Sequence, residues 1–202
     1  MTAVFNQEDF DVFKDQTLPG RMAGVRGVID PKFEAIAPVI KEALQQSAPV
    51  ADHIAKHLRR FKNPPMNTWI AFNQNPRGYK MTPHLMLGFW DDRLFLWLGT
   101  LAEASDRELM ITRWQTLLPD LVKLPAGFEI SPDHMAKKST TATMAGLKQQ
   151  LDRYETVKQA DFMVGRQWFK DDAVFQHPKD LKQILIETTQ QLAPFYTALN
   201  AD

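Results

Sequence analysis

The spacing of apolar residues along the chain is helical towards both ends and strand-like in the middle. Between residues 33 and 44 and between 178 and 199, apolar side chains recur every three or four positions, which is typical of helices that bury one face. The intervening pattern is different, because three runs rich in aromatic and branched side chains predict β-strands: Asn67–Asn73, Thr82–Trp90 and Arg93–Leu101. The links between these runs contain Asn, Pro, Gly and Asp, the residues that turns require.

Local signals indicate where the predicted helices begin and end. Asn6 followed by acidic residues indicates a helix start, and Leu18-Pro19-Gly20 ends that short helix. Asp30 is expected to cap a new helix with Pro31 in its first turn, and Pro38 is expected to kink or break that helix. Further helices are predicted from the capping-box pattern Ser105-Asp106-Arg107-Glu108, over Met144–Lys158 and over Pro178–Leu199.

The remaining segments predict additional strands of the same sheet. Residues 51–61 fit either a helix face or a strand, and we interpret them as a strand because the three segments that follow form a meander. Gly127–Ser131 and Asp161–Phe169 are expected to add short strands. The chain carries no internal repeat and no low-complexity linker. We therefore predict one α+β domain over residues 1–202, with a mainly antiparallel sheet (strands within about 51–101 plus the later short strands) flanked by helices.

The meander contains a hairpin whose register follows from its turn. If Asp91-Asp92 is a two-residue turn, Phe89 lies opposite Leu94 and His84 lies opposite Gly99. One face of this hairpin is then a pure core face: Leu85, Leu87, Phe89, Leu94, Leu96 and Leu98. The other face is also too apolar for water: His84, Met86, Gly88, Trp90, Phe95, Trp97 and Gly99. We expect helices to pack into the room left by the glycines, or the face to line a ligand cleft in which His84 has space beside Gly99.

Composition excludes several classes of site. The chain has no cysteine, which excludes disulfides, thiolate zinc sites, iron–sulfur clusters and cysteine nucleophiles. Lys+Arg and Asp+Glu both number 24, so no net charge draws the protein to nucleic acid or to an anionic membrane. The N-terminus lacks the apolar segment of a signal peptide, and the longest apolar run, Leu94–Ala102, is too short to span a membrane. A cytoplasmic protein without a membrane partner is expected.

Acidic residues are absent from His53 to Trp90, although the same window holds six basic residues: Lys56, Arg59, Arg60, Lys62, Arg77 and Lys80. Such a window can create a positive potential that attracts a phosphate, a carboxylate or a nucleic-acid backbone. Alternatively, acids from elsewhere in the chain neutralise it. The loop Arg77-Gly78-Tyr79-Lys80 is either an ordinary surface turn or a loop that closes over an anion.

The histidines are the only candidates for acid–base chemistry near neutral pH. His53 and His57 have a spacing that metal ligands also use, but no acidic residue accompanies them as in a metalloprotease motif, so neither a metal site nor a cofactor is expected. Asp133 precedes His134 and could orient it as a base. Walker, dinucleotide-binding and G-x-S-x-G motifs are absent from the sequence.

Short motifs spread over nearly the whole chain resemble one bacterial family. They are Glu8-Asp9-Phe10-Asp11-Val12-Phe13, Ala55-Lys56-His57, Arg59-Arg60, Asn63-Pro64-Pro65, Thr68-Trp69, Ala71-Phe72, Arg77-Gly78-Tyr79-Lys80, Pro83-His84, Gly88, Trp90, Thr156-Val157-Lys158 and Phe162-Met163-Val164-Gly165-Arg166. The set resembles the YktB-like family of uncharacterised bacterial proteins of Firmicute type. The resemblance implies a single α+β domain. It implies no activity, cofactor or catalytic residue, so it transfers no site to this chain.

Three functions are compatible with these residues. The first is binding of a small anionic or phosphorylated ligand at a basic, aromatic-walled site formed by His57, Arg59, Trp69, Arg77, Tyr79, Lys80, His84 and Trp97. The second is an enzyme that uses His84 or His57 as an acid or base at the same site. The third is a nucleic-acid or protein contact through the basic patch, against which the balanced net charge argues. The oligomeric state does not follow from the sequence.

Overall fold

The centre of the protein is a seven-stranded antiparallel sheet with the strand order β1-β2-β3-β4-β7-β5-β6. The structure is a computed structural model that describes residues 4–44, 46 and 48–201. The strands are β1 (Ala51–Ile54), β2 (Asn67–Asn73), β3 (His84–Trp90), β4 (Arg93–Thr100), β5 (Glu129–Ser131), β6 (Thr140–Thr141) and β7 (Phe162–Phe169). Helices precede, interrupt and follow them in the chain, which confirms the predicted α+β class.

The helices account for most of the rest of the described chain. They are α1 (Leu18–Gly24), α2 (Asp30–Leu44), α3 (Arg107–Leu121), α4 (Met144–Thr156) and α5 (Pro178–Leu199), with 3₁₀ helices at Gln7–Lys14 and Ala173–Gln176. The final helix has the bounds that its apolar spacing predicts. None of the helices in the described ranges combines the length and the apolar character that crossing a bilayer requires.

The prediction that Asp30 caps a new helix is wrong. A π-helical segment, Val25–Ile29, joins α1 to α2, and Asp30 continues it with helical backbone angles and donates its N–H to the carbonyl of Val25. Pro31 lacks an N–H donor, and its ring would crowd the preceding turn of a regular α-helix. The wider π turn before it leaves room for the ring, so the helix continues through Asp30 and does not start anew there. Pro38 lies inside α2 and does not end it.

The strand predicted over residues 51–61 is shorter than expected, because β1 ends at Ile54. His57 has a φ of 51°, which an extended strand does not allow, and its carbonyl accepts the N–H of Arg60 at 3.0 Å to close a turn. The strands that follow agree with the prediction. The β3–β4 register is the predicted one, with Phe89 paired with Leu94 and His84 with Gly99.

The two faces of the sheet are covered differently. The side chains of Leu87, Phe89 and Leu96 belong to the main core, which also contains the buried faces of the helices. The opposite face, which we call the loop-covered face, has a separate apolar cluster formed by strands and connecting segments: Ala55, Trp69, Ala71, Met86, Trp90, Phe95, Trp97, Leu101 and Met163, with Tyr79 and Met135 packed against it.

The expected packing of helices into glycine-made space on this second face is therefore wrong. Neighbouring strands fill that space with their own side chains. A Cβ atom at Gly99 would lie 2.6 Å from Cγ of Met163, and one at Gly88 would overlap the ring of Phe95. His84 consequently has no free space beside Gly99, and loops rather than helices decide what can reach this face.

Candidate functional site

Four of the five histidines meet on the loop-covered face around Trp69 and Tyr79. We call these six residues the histidine cluster: His53, His57, His84, His134, Trp69 and Tyr79. The ring centroids of His57 and His134 lie 5.7 and 6.1 Å from that of Trp69. Those of His84 and His53 lie 5.0 and 5.9 Å from that of Tyr79. Residues far apart in sequence thus form one polar and aromatic assembly.

A hydrogen bond between the two aromatic residues organises the centre of the cluster. Nε1 of Trp69, on β2, donates to the hydroxyl oxygen of Tyr79, in the loop between β2 and β3, at 2.9 Å. Burial raises the pKa of Tyr79, so this hydroxyl stays protonated at neutral pH. Because its oxygen already accepts the indole N–H, the hydroxyl proton is available for another acceptor.

His84 is a neutral, buried ring. It is 1% exposed, and its Nδ1 donates to the carbonyl of Thr82 at 2.9 Å. Burial lowers its pKa to about 4, which keeps the ring uncharged at pH 7 and leaves Nε2 without a proton. A neutral ring in this tautomer is a hydrogen-bond acceptor and does not attract an anion by charge.

His57 is also uncharged at neutral pH. Its Nε2 is hydrogen-bonded to Oγ1 of Thr68 at 3.1 Å. Burial, together with the nearby cations Arg60 and Arg26, lowers its pKa to about 4. Neither histidine that the sequence suggests as an acid or base is therefore poised to change its charge near pH 7.

His134 and Asp161 form a hydrogen-bonded pair at the site. Oδ2 of Asp161 accepts hydrogen bonds from Nδ1 of His134 at 2.6 Å and from the His134 backbone N–H at 2.8 Å. Oδ1 accepts the backbone N–H of Ala102 at 2.8 Å. The Asp161 side chain is 3% exposed, and within the described residues these three donors are its hydrogen-bond partners. The pair fixes the orientation of the imidazole and leaves Nε2 as the atom that can exchange a proton.

The partner of His134 is not the one that the sequence suggests. Asp133 is adjacent in the chain, but its Oδ1 accepts the backbone N–H of Met135 at 2.7 Å. Asp161 takes its place because β5 pairs with β7, with Ser131 opposite Met163. No motif or spacing in the sequence marks this pair, since it depends on which strand joins the sheet beside β5.

Asp133, His134 and Asp161 form a group whose potential metal-ligand atoms all lie within 4.8 Å of one another. The contact of 2.6 Å between His134 Nδ1 and Asp161 Oδ2 is a hydrogen bond. Two ligand atoms that shared a zinc ion at about 2.0–2.1 Å each would lie further apart than that. The geometry therefore fits an acid–base pair better than a metal centre.

The predicted site residues are only partly brought together. His57, Trp69, Tyr79 and His84 belong to the histidine cluster, and Trp97 belongs to the apolar cluster beneath it. The three predicted cations are not buried in the cluster: Arg59, Arg77 and Lys80 are exposed. Nζ of Lys80 lies 3.3 Å from the carboxylate of Glu103, an acid outside the acid-free window. The alternative that acids from elsewhere neutralise the window thus holds for this lysine.

A separate cavity of about 570 Å³ lies between α4 and the loop that precedes β6. Its lining includes two cations, Lys138 and Arg153, the hydroxyl-bearing Thr140, and Asp133. The sequence did not predict this cavity. Lys138 lies in a polar loop and Arg153 on the polar side of a predicted helix, and charged residues are common at both kinds of position.

Comparison with known proteins places the chain in a family. Residues 5–196 match the family model described as "Domain of unknown function (DUF1054)". A UPF0637 protein of Lactiplantibacillus plantarum is 42% identical over 200 residues, which cover 98% of this chain and 96% of that relative. A UPF0637 protein of Exiguobacterium sibiricum is 37% identical over 198 residues, which cover 97% of this chain and 98% of the relative. A third, from Macrococcus caseolyticus, is 36% identical over 197 residues, which cover 95% and 97%.

These matches extend over nearly the whole chain and come from Firmicutes, as the resemblance to YktB-like proteins implies. The family descriptions assign no activity, ligand or partner, so the case for the histidine cluster rests on its geometry. With a family model covering most of its length and relatives similar over almost all of it, the chain belongs to the DUF1054 family.

Proposed function

We propose that the protein binds a small anionic molecule at the histidine cluster and moves a proton to or from it through His134. The observation that carries the proposal is the pair formed by His134 and Asp161. A buried carboxylate held by two backbone N–H groups also accepts the Nδ1 proton of the imidazole. This arrangement orients a histidine as a general acid or base and stabilises the charged form that appears when Nε2 takes up a proton.

The neighbouring residues supply contacts that such a reaction needs. Tyr79 offers a protonated hydroxyl whose oxygen is already engaged by Trp69, so it can donate to an oxygen atom of the ligand. Arg77 and Lys80 flank Tyr79 in the same loop and are exposed. Arg77 is suited to attract an anion, because a guanidinium can bind a carboxylate or phosphate through two parallel hydrogen bonds, whereas Lys80 is already paired with Glu103.

The proposal is tested with inorganic phosphate and acetate as minimal anions. Protein with ¹⁵N-labelled histidine rings is titrated with each anion, and the ring signals are followed by NMR. We expect the His134 signal to shift on addition of at least one anion, and the response to weaken in Tyr79→Phe, which lacks the hydroxyl donor. His177→Gln, which changes the exposed histidine outside the cluster, is the matched control and keeps the response. Signals from His134 and His84 that do not move at saturating anion would contradict the proposal.

A second location for the anion is supported by the cavity beside α4. Its lining includes two cations, Lys138 and Arg153, which can attract an anion by charge. In the histidine cluster, by contrast, the lowered pKa values of His57 and His84 leave both rings uncharged at neutral pH. Arg153→Gln distinguishes the two sites. If phosphate binds in the cavity, this variant loses binding while Tyr79→Phe keeps it. If phosphate binds at the histidine cluster, Tyr79→Phe weakens binding and Arg153→Gln keeps it.

A further inference from the structure

The connection between β1 and β2 exposes an unusual amount of apolar surface. We call residues 56–66 the basic apolar loop. Its side chains include Phe61, which is 88% exposed, Leu58, which is 73% exposed, and Met66, which is 56% exposed. Single exposed apolar residues are common on protein surfaces, whereas three on one short loop are a concentration of the kind found at contacts with another apolar body.

Hydrogen bonds anchor the loop near both of its ends. Near its start, His57 is hydrogen-bonded to Thr68 of β2 at 3.1 Å. Near its end, Nη1 of the buried Arg21 donates to the carbonyl of Pro65 at 2.6 Å. Between these anchors, the carbonyl of His57 accepts the N–H of Arg60 in a tight turn. Both ends of the loop are thus fixed, and the side chains of Leu58 and Phe61 between them are exposed to solvent.

The same loop is strongly basic. It contains four cations, Lys56, Arg59, Arg60 and Lys62, and no acidic residue. None of the ion pairs formed within residues 4–44, 46 and 48–201 involves them. Exposed apolar side chains interspersed with these cations fit a partner that is apolar inside and negatively charged at its surface.

We propose that the basic apolar loop docks onto the surface of a membrane that contains anionic lipids. Phe61 and Leu58 would enter the boundary between headgroups and acyl chains, and the four cations would meet the lipid phosphates. This is a surface contact that needs no membrane-spanning segment, and it departs from the expectation of a protein without a membrane partner, because the charge is concentrated locally on the loop although the chain as a whole is balanced. It does not depend on the function proposed above.

Two other partners fit the loop less well. A single-stranded nucleic acid would use aromatic side chains for stacking, but two of the three exposed apolar residues, Leu58 and Met66, have no ring. A second copy of the chain that met this loop through the same loop would bring two equally basic segments together, and like charges repel. A lipid surface satisfies both the charge and the aliphatic character of the loop.

Vesicle sedimentation tests the proposal with the full chain. The probes are vesicles of phosphatidylcholine alone and vesicles of an equimolar mixture of phosphatidylcholine and phosphatidylglycerol. We expect binding to the mixed vesicles that weakens as salt is added, and much weaker binding to phosphatidylcholine alone. Phe61→Ser should reduce binding to the mixed vesicles by about tenfold, because one large apolar side chain no longer enters the bilayer. Arg59→Gln should reduce it by about fivefold.

Matched controls separate the loop from general surface effects. Phe169→Ser removes another exposed phenylalanine, at the end of β7, and Lys182→Gln removes an exposed cation on α5; both should bind vesicles as the unchanged protein does. Absence of binding to the mixed vesicles, or equal losses in Phe61→Ser and Phe169→Ser, would overturn the proposal. It would also be overturned if a thymidine oligonucleotide bound the protein in a Phe61-dependent manner while the vesicles did not.

Discussion

Oδ2 of Asp161 accepts a hydrogen bond from Nδ1 of His134 at 2.6 Å, although the two residues lie 27 positions apart in the chain. The pairing of β5 with β7 brings them together, because His134 follows β5 and Asp161 immediately precedes β7. The backbone N–H of Asp161 also donates to the carbonyl of Pro132 at 2.9 Å, which ties the loop to the start of the strand. The geometry of the candidate site therefore depends on the pairing of β5 with β7.

Replacing Asp161 with asparagine should destabilise the fold as well as the site. The amide has one acceptor oxygen, whereas the carboxylate accepts from three donors with two oxygens, so in either orientation of the amide in Asp161→Asn its NH₂ group faces a backbone N–H, that of Ala102 or that of His134. We expect a loss of about 3 kcal/mol in the free energy of unfolding, measured by urea denaturation. Asp152→Asn, at an exposed position on α4, is the control and should change stability by less than about 0.5 kcal/mol. Equal effects of the two substitutions would show that the Asp161 contacts contribute little.

The burial of His84 should make stability depend on pH. Its pKa is lowered from 6.5 to about 4 in the folded protein, so between these values the unfolded chain binds a proton that the folded chain does not. Stability therefore falls as the pH is lowered through this window. For His84 alone, the linkage relation gives a loss of about 2 kcal/mol between pH 7 and pH 5. His57, whose pKa is lowered in the same direction, adds to the effect.

The substitution His84→Asn isolates the contribution of this ring. Asparagine retains an N–H donor for the carbonyl of Thr82 but does not titrate, so the loss of stability from pH 7 to pH 5 should be about 2 kcal/mol smaller than in the unchanged protein. Urea denaturation at the two pH values measures the difference. His177→Asn changes an exposed histidine and controls for the removal of a histidine as such. An unaltered pH dependence in His84→Asn would mean that His84 accepts a proton in the folded state.

Two glycines should respond to alanine in opposite ways. A Cβ at Gly165, on β7, would collide with the carbonyl oxygen of Leu96 and lie 2.7 Å from Cε3 of Trp97, so Gly165→Ala should cost about 3 kcal/mol or more. A Cβ at Gly27, in the π-helical segment, meets nothing within 4 Å. Gly27→Ala should stabilise the protein by about 0.5–1 kcal/mol, because alanine loses less backbone entropy in a helix. Thermal and urea unfolding of both variants measure the contrast, and loss of stability at Gly27 would contradict it.

Arg107 should not tolerate lysine. Its guanidinium lies 3.9 Å from the centroid of the Tyr154 ring and donates to the carbonyls of Tyr154, Val157 and Ala160, which end α4 and lead to β7. Lysine keeps the charge but cannot reproduce this planar set of donors. We expect Arg107→Lys to reduce the free energy of unfolding by about 2 kcal/mol, as measured by urea denaturation. The exposed Arg26 provides the control, and Arg26→Lys should be neutral within about 0.5 kcal/mol.

The sequence predicted correctly those elements that interactions between residues close in the chain decide. The β3–β4 register followed from a two-residue turn and the alternation of side chains, and both are properties of adjacent residues. The bounds of α5 followed from apolar spacing and from Pro178 at its start. The continuous passage from α1 to α2 was not predicted, since Asp30-Pro31 has the local form of a helix start and only the wider π turn before it allows the helix to continue.

The sequence by itself determined the α+β class, the central hairpin and the gathering of aromatic and basic residues in one window, because short-range spacing encodes each of them. It did not determine which acid orients His134, since Asp161 reaches that ring only through the pairing of β5 with β7. Nor did it determine that loops cover the second face of the sheet and hold His84 neutral and buried. Those features depend on contacts between segments far apart in the chain, which form only when the whole sheet is assembled and water is removed from between its layers.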